Sequence, residues 1–347
     1  MSPDQNHDPI HLVTGGTGLL GSHIAERLAA RGDRVRSLVR PTSDTRFLRS
    51  LGVELVEGDL TDIASCRRAM AGVSVVYHSA AKVGDWGSWR EFQTGCVDAT
   101  ENLARASAEA RVERFVHVSS TSAYGHPRDR EEPITEDHPL GENVWVLDYY
   151  TRSKVDCERI LWRMAERDGL RLSVIRPSWL YGERDRTTTA RIVKRIRAGK
   201  VPLIGRGDNP LSAIYAGNVA DAALLAAADP GSVGEAYNVT SMGPITQREW
   251  LNLFADACNA PRPSRHVPYR LTFAISTIIE AVFRLVRRRR PPFITRYATW
   301  LMGRDLAYST AKAESKLGWR PAVGYPESIE RTVRWYLDAT EPTTVPA

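Results

Sequence analysis

Tyr150 and Lys154 stand four residues apart in "DYYTRSKVDCER", so a helix presents both on one face. A phenol beside an ammonium can act as a proton donor and the cation that lowers its pKa. Thirty residues before Tyr150, "RFVHVSSTSAYG" reads as an apolar strand running into hydroxyls. Ser119 and Ser120 fall where that strand leaves its sheet. Ser120, Tyr150 and Lys154 can converge on a carbonyl. The phenol protonates the oxygen, the serine orients it, and the lysine tunes the phenol and bonds a cofactor ribose. Such chemistry needs a hydride, and hence a site for its carrier.

The N-terminal segment has the form of that site. "IHLVT" reads as a buried strand, "GGTGLLG" as a turn, "SHIAERLAARG" as a helix and "DRVRSLVR" as a second strand. Gly15, Gly18 and Gly21 let the backbone approach a pyrophosphate at the helix N-terminus, with Thr17, Leu19 and Leu20 completing the loop. The second strand ends at Val39 and Arg40, with no acid for ribose hydroxyls. A guanidinium suits a 2′-phosphate, so NADP(H) is favoured over NAD(H). Two further strand ends, "VELVEGDL" and "VSVVYHSAA", place Asp59 and Leu60 against an adenine and Ala80 and Ala81 along the cofactor groove.

The elements that carry these residues alternate strand and helix, predicting a doubly wound α/β parallel sheet with a smaller C-terminal domain. Residues 8–182 with 213–240 are expected to form the dinucleotide-binding domain, and 183–212 with 241–338 the substrate domain. Residues 1–7 and 339–347 are expected to lack fixed structure. The chain has 347 residues and a net charge of +6, with five arginines between 284 and 290. The basicity is local, which argues against a nucleic-acid partner. Four scattered cysteines exclude a disulfide framework or zinc site and fit a reducing cytosol; no metal is expected. The polar start, "MSPDQNHDP", reads as no signal peptide.

The motifs "TGGTGLLG", "GDL", "HSAA", "SSTSAYG", "YTRSK" and "IRPSWLYG" resemble those of extended short-chain dehydrogenases/reductases, the NAD-dependent epimerase/dehydratase superfamily. The resemblance runs on through "YAGNVADAALLA" and "KAESKLGWRP", and implies a Rossmann fold. It puts the family's catalytic Ser, Tyr and Lys on Ser120, Tyr150 and Lys154, and its carboxamide-adjacent Pro on Pro177. One departure is "CVDATENL", where Cys96 and Ala99 replace the family's Asn and Gly. The Asp-Glu pair of the dehydratases is absent, since Thr121 and Ser122 follow Ser120. The strand-end acid usual in epimerases is absent too.

"AAKVGDWGSWREF" is similar to a loop of 3β-hydroxysteroid dehydrogenase-like proteins and 2-alkyl-3-oxoalkanoate reductases. Lys82, Trp86, Thr121, Trp145 and Trp179 are the expected substrate-facing residues, suited to a steroid, isoprenoid or long acyl chain. The leading expectation is NADP(H)-dependent interconversion of a ketone and a secondary alcohol on a hydrophobic substrate. The alternatives are a sugar-nucleotide epimerase and a non-catalytic NAD(P)-sensing protein. Residues 268–290 pair an apolar run, too short for the ~20 residues of a membrane span, with a basic end. They are expected to touch an anionic membrane from its cytoplasmic side. A homodimer is the family's habit.

Overall fold

Strand β1 (Ile10–Thr14) is buried along its whole length, as a strand covered by helices on both faces must be. The structure, a computed structural model, describes residues 9–82, 84–128, 132–288 and 290–340. β1 pairs in parallel with β2 (Arg34–Val39) on one side and β4 (Val73–His78) on the other. β3 (Glu54–Glu57) lies outside β2, while β5 (Arg114–Val118), β6 (Leu172–Pro177) and the strand Glu235–Val239 extend the other edge. All seven run parallel. The strand order reverses between β1 and β4, so a crevice opens there at the strands' C-terminal ends.

Helix α1 (Leu19–Ala30) follows β1 directly and packs on the alanine-rich helix Ala216–Ala228. Alanines at 220, 222, 223 and 226 are fully buried there. A separate hydrophobic core, holding Tyr181, Trp250, Phe254 and Ile329, gathers the C-terminal segments. The final helix, Tyr325–Thr340, carries regular structure through Ala339 and Thr340, two residues into the expected tail. Ile329, Val333 and Tyr336 bury one face of it, and the Thr340 hydroxyl donates to the Tyr336 carbonyl at 2.8 Å. Residues 1–7 and 341–347 lie outside the described residues. No helix of the described residues is long and apolar enough to cross a membrane.

Beneath the crevice two strand-end histidines face each other, with His78 and His117 ring centroids 5.3 Å apart. His78 Nδ1 lies 2.8 Å from the Thr14 hydroxyl and Nε2 lies 2.9 Å from the Thr100 hydroxyl. Burial, then the Lys154 ammonium, lowers the His78 pKa to about 3. The folded protein therefore holds a neutral imidazole that titrates near 6.5 once unfolded. This contribution is complete above pH 6.5 and is lost as pH falls towards 3. Between pH 6.5 and 5, unfolding free energy is expected to fall by about 1 kcal/mol per unit from His78 alone. Urea titrations across that interval check it. The His78→Gln variant should show a shallower slope, and an unchanged slope would contradict the assignment.

Candidate active site

The turn after β1 closes when the Gly18 amide donates to the Gly15 carbonyl at 2.9 Å. Gly15 has φ +71, and a Cβ there would sit 2.8 Å from the Ala80 amide nitrogen. A Cβ on Gly21 would come within 2.2 Å of the Gly15 carbonyl oxygen. Both positions therefore require glycine. No side chain caps α1, and no acid stands in its first turn, so its N-terminal amides and positive dipole end suit an anion. These features fit the pyrophosphate of a dinucleotide. Thr17 and Leu19 are half-buried around the turn, and Leu20 is buried.

Around this cradle the other expected cofactor residues divide. Arg40 follows the end of β2 and is exposed. Asp59 folds back on its own loop, where one carboxylate oxygen accepts from the Thr61 amide at 2.9 Å and the Thr61 hydroxyl at 2.8 Å. Leu60 contributes its carbonyl to Asn102 Nδ2 at 3.1 Å. Ala80 and Ala81 line the exit of β4, and Pro177 is buried at the end of β6.

Tyr150 and Lys154 lie on the helix Tyr149–Asp168. Asp148 caps that helix, accepting from the Thr151 amide at 3.0 Å and the Thr151 hydroxyl at 2.8 Å. Its other contact is His126, whose Nε2 lies 2.9 Å from Asp148 Oδ2. Lys154 is buried, and its ammonium donates to the Val118 carbonyl of β5 at 3.4 Å. Two residues beyond Val118, Ser120 caps a short 3₁₀ turn, accepting from the Ser122 amide at 3.1 Å. Lys154 thus reaches the same strand end that presents Ser120. Tyr149 is turned to another surface, against Trp89 at 5.9 Å and the Arg284 guanidinium at 5.4 Å. The Tyr150 ring instead meets Tyr297 edge-on at 5.7 Å. Burial, then the neighbouring Tyr150 and Asp148, raises the Tyr297 phenol well above its ordinary pKa. Tyr297 therefore stays protonated beside Tyr150.

A buried polar network fixes the hydroxyl strand end to this helix. Ser119 donates to Glu158, which pairs with Arg176 of β6 at 2.7 Å. Arg176 donates to the Tyr124 hydroxyl at 2.9 Å, which donates to Asn238 Oδ1 at 2.7 Å. Burial works against the Arg176 charge, and the pair with Glu158 outweighs it, raising its pKa. Glu158 is fully buried and Arg176 nearly so, so the pair holds one geometry.

Sequence reasoning missed Glu158, Arg176, Asn238, Asp148, His126 and Tyr297. Glu158 alone left a local signal, lying four residues beyond Lys154 on the same helical face.

The expected substrate residues also divide. The Trp145 ring lies flat on His126 at 3.6 Å, with Phe273 and Trp300 edge-on around it. Trp86 is buried under Phe283 and the Arg284 guanidinium. Lys82 donates through its ammonium to the Trp86 carbonyl at 2.9 Å. Thr121 is buried within the 3₁₀ turn that follows Ser120. Trp179 packs on Trp250 at 5.0 Å, within the C-terminal core and apart from the Trp145 and Tyr297 cluster. Cys96 occupies a π-helical turn, Gln93–Asp98. Its sulfur accepts from the Lys82 amide at 3.2 Å, so the thiol braces the loop that carries Trp86.

A family model described as the NAD dependent epimerase/dehydratase family matches residues 11–240. A 2-alkyl-3-oxoalkanoate reductase of Stenotrophomonas maltophilia is 31% identical over 92% of this chain and 97% of its own length. A 3 beta-hydroxysteroid dehydrogenase/Delta 5-->4-isomerase of Mycobacterium tuberculosis is 29% identical over 95% of this chain and 91% of its own. Among solved structures, that of gox2253 is similar with TM-score 0.79 and 26% identity, over 96% of this chain and 99% of that one. The glycine cradle, the parallel sheet and these matches agree: the chain belongs to the NAD dependent epimerase/dehydratase family and is an NAD(P)-dependent oxidoreductase of the extended short-chain dehydrogenase/reductase type.

Proposed function

We propose that the enzyme reduces the ketone of a hydrophobic 3-oxo compound with NADPH, or runs the reverse oxidation. The observation that carries this reading is the Lys154 ammonium reaching the Ser120 strand end from the helix that bears Tyr150. The aromatic surroundings of Tyr150, with Tyr297 against it and Trp145 and Trp300 nearby, favour an apolar substrate. The reductase and dehydrogenase names of its relatives agree with ketone and alcohol chemistry.

In this mechanism the bound nicotinamide supplies the hydride to the carbonyl carbon. Tyr150 gives its phenolic proton to the carbonyl oxygen, and the buried Lys154 ammonium stabilises the phenolate left behind. The Ser120 hydroxyl donates to the same oxygen and orients it. A proton from solvent then restores the phenol. Thr17, Gly18, Leu19 and Leu20 would hold the pyrophosphate, and Pro177 would pack near the carboxamide.

The test is NADPH consumption with 2-alkyl-3-oxo acids, 3-oxosteroids and sugar nucleotides offered separately. Turnover of an apolar 3-oxo compound is expected, and conversion of a sugar nucleotide alone would overturn the reading. Cofactor choice follows from Arg40. A guanidinium contact with the 2′-phosphate is worth ~1.5–3 kcal/mol. Arg40→Ala is expected to weaken NADPH ~10–100-fold and leave NADH nearly unchanged, by fluorescence titration. Equal affinities for both cofactors in the parent protein would contradict the preference.

A further inference from the structure

Helix Tyr269–Leu285 has a face left exposed among the described residues. Leu271, Ile275, Ile278, Val282, Leu285 and Val286 are 56, 43, 63, 49, 83 and 56% exposed. Their spacing of four, three, four and three residues, then one more, forms a single stripe. The opposite face is used: Phe273 packs on Trp145, Phe283 packs on Trp86, and Ser276 is buried. Isolated exposed apolar residues are ordinary on a protein surface, whereas a contiguous stripe marks an interaction surface.

Charge identifies what the stripe fits. Residues 268–296 hold seven arginines and one acid, Glu280. The rest of the chain holds forty basic and forty acidic residues, so the whole net charge of +6 lies in this segment. The acid is turned inward, where Glu280 accepts from the Arg296 amide at 2.6 Å. Arg270, Arg287, Arg288 and Arg290 are exposed. An apolar stripe ending in a cluster of arginines matches the acyl boundary and headgroups of an anionic bilayer.

The stripe also continues towards the active site. Arg284 donates to the Leu147 carbonyl at 2.8 Å and Arg296 to the Val146 carbonyl at 3.2 Å. Val146 and Leu147 are 83 and 43% exposed, and they precede Asp148 and Tyr150 directly in the chain. Phe293, at 72% exposure, adds a further apolar side chain just beyond the arginines. We propose that this face docks the enzyme on an anionic lipid surface, with the stripe in the headgroup layer and the catalytic helix N-terminus beside the bilayer. A lipophilic substrate would then enter laterally from the membrane, a corollary that rests on the proposed reductase function. The docking itself needs no substrate.

The experiment is co-sedimentation of the full chain with phosphatidylcholine vesicles, with and without phosphatidylglycerol, at low and high salt. Binding is expected only to the anionic vesicles and is expected to fall as salt rises. Ile278→Glu with Leu285→Glu should weaken it ~tenfold or more. Replacing Arg287, Arg288 and Arg290 by Ser should weaken it ~fivefold for each arginine lost. The arginine variant keeps the apolar stripe and stands in should the glutamate variant fail to fold. Light scattering on the same samples reads the oligomeric state. A parent that ignores anionic vesicles at low salt overturns the proposal. So does a parent dimer that ignores vesicles and becomes monomeric on Ile278→Glu, which would make the face an interface between copies. Vesicle binding without reduction of any 3-oxo compound would leave docking standing and remove the reductase reading.

Discussion

Tyr150→Phe is expected to fold, to bind NADPH, and to lose ~10²–10⁴-fold in carbonyl reduction, the contribution of a positioned general acid. The change removes one oxygen and keeps the ring, so the edge contact with Tyr297 survives. Neither adjacent tyrosine replaces the lost acid. Tyr149 is committed to Trp89 and Arg284 on a different side of the helix. Tyr297 is held protonated by burial, which makes it a poor proton donor. Tyr149→Phe is therefore expected to retain near-parental turnover. Lys154→Met should damage both cofactor binding and turnover, because the ammonium is assigned to the phenol and to the ribose. Steady-state NADPH oxidation, after circular dichroism shows that each variant is folded, decides the matter. Near-parental turnover in Tyr150→Phe would mean that the proton comes from elsewhere.

The second large effect concerns stability. Glu158→Ala is expected to cost ~3–5 kcal/mol, since it leaves the buried Arg176 guanidinium without its counter-charge. It also removes the acceptor of the Ser119 hydroxyl, next to Ser120. Replacing both partners, Glu158→Leu with Arg176→Met, should recover much of the loss, because no unpaired charge is then buried. Activity should not recover with it, since neither new side chain can hold the Ser119 hydroxyl. Urea denaturation gives the stabilities, and NADPH oxidation gives the activity. A loss below ~1 kcal/mol in Glu158→Ala would show that the ion pair is not the brace described here.

The β1, glycine turn and α1 unit was legible because every relevant contact is local. Gly15, Gly18 and Gly21 meet one another within seven residues. The Tyr150 and Lys154 pair was legible because helical spacing alone puts them on one face. Glu158 sits on that face too, but its meaning depends on Arg176, which comes from β6 after the chain has turned back.

Tyr297 meets Tyr150 across 147 residues of sequence, and no periodicity links them. The tryptophans show the same limit from the other side. Trp145 and Trp179 look alike as residues near strand-end loops. Trp145 stacks on His126 beside the Tyr297 cluster, whereas Trp179 packs on Trp250 in the C-terminal core. Tertiary packing alone separates them. The last helix runs to Thr340, two residues past 338, where the Thr340 hydroxyl donates to the Tyr336 carbonyl.

The reductase reading is tested most directly by tracing the hydrogen. NADPH carrying deuterium at the transferable position of its nicotinamide would be incubated with the parent protein and a 2-alkyl-3-oxo acid, and the product read by mass spectrometry and NMR. The account predicts one deuterium on the new carbinol carbon, in step with NADPH consumed, and almost none with Tyr150→Phe. A sugar nucleotide inverted without net NADPH consumption, or tight NADPH binding with no deuterium transferred to any 3-oxo compound, would contradict it.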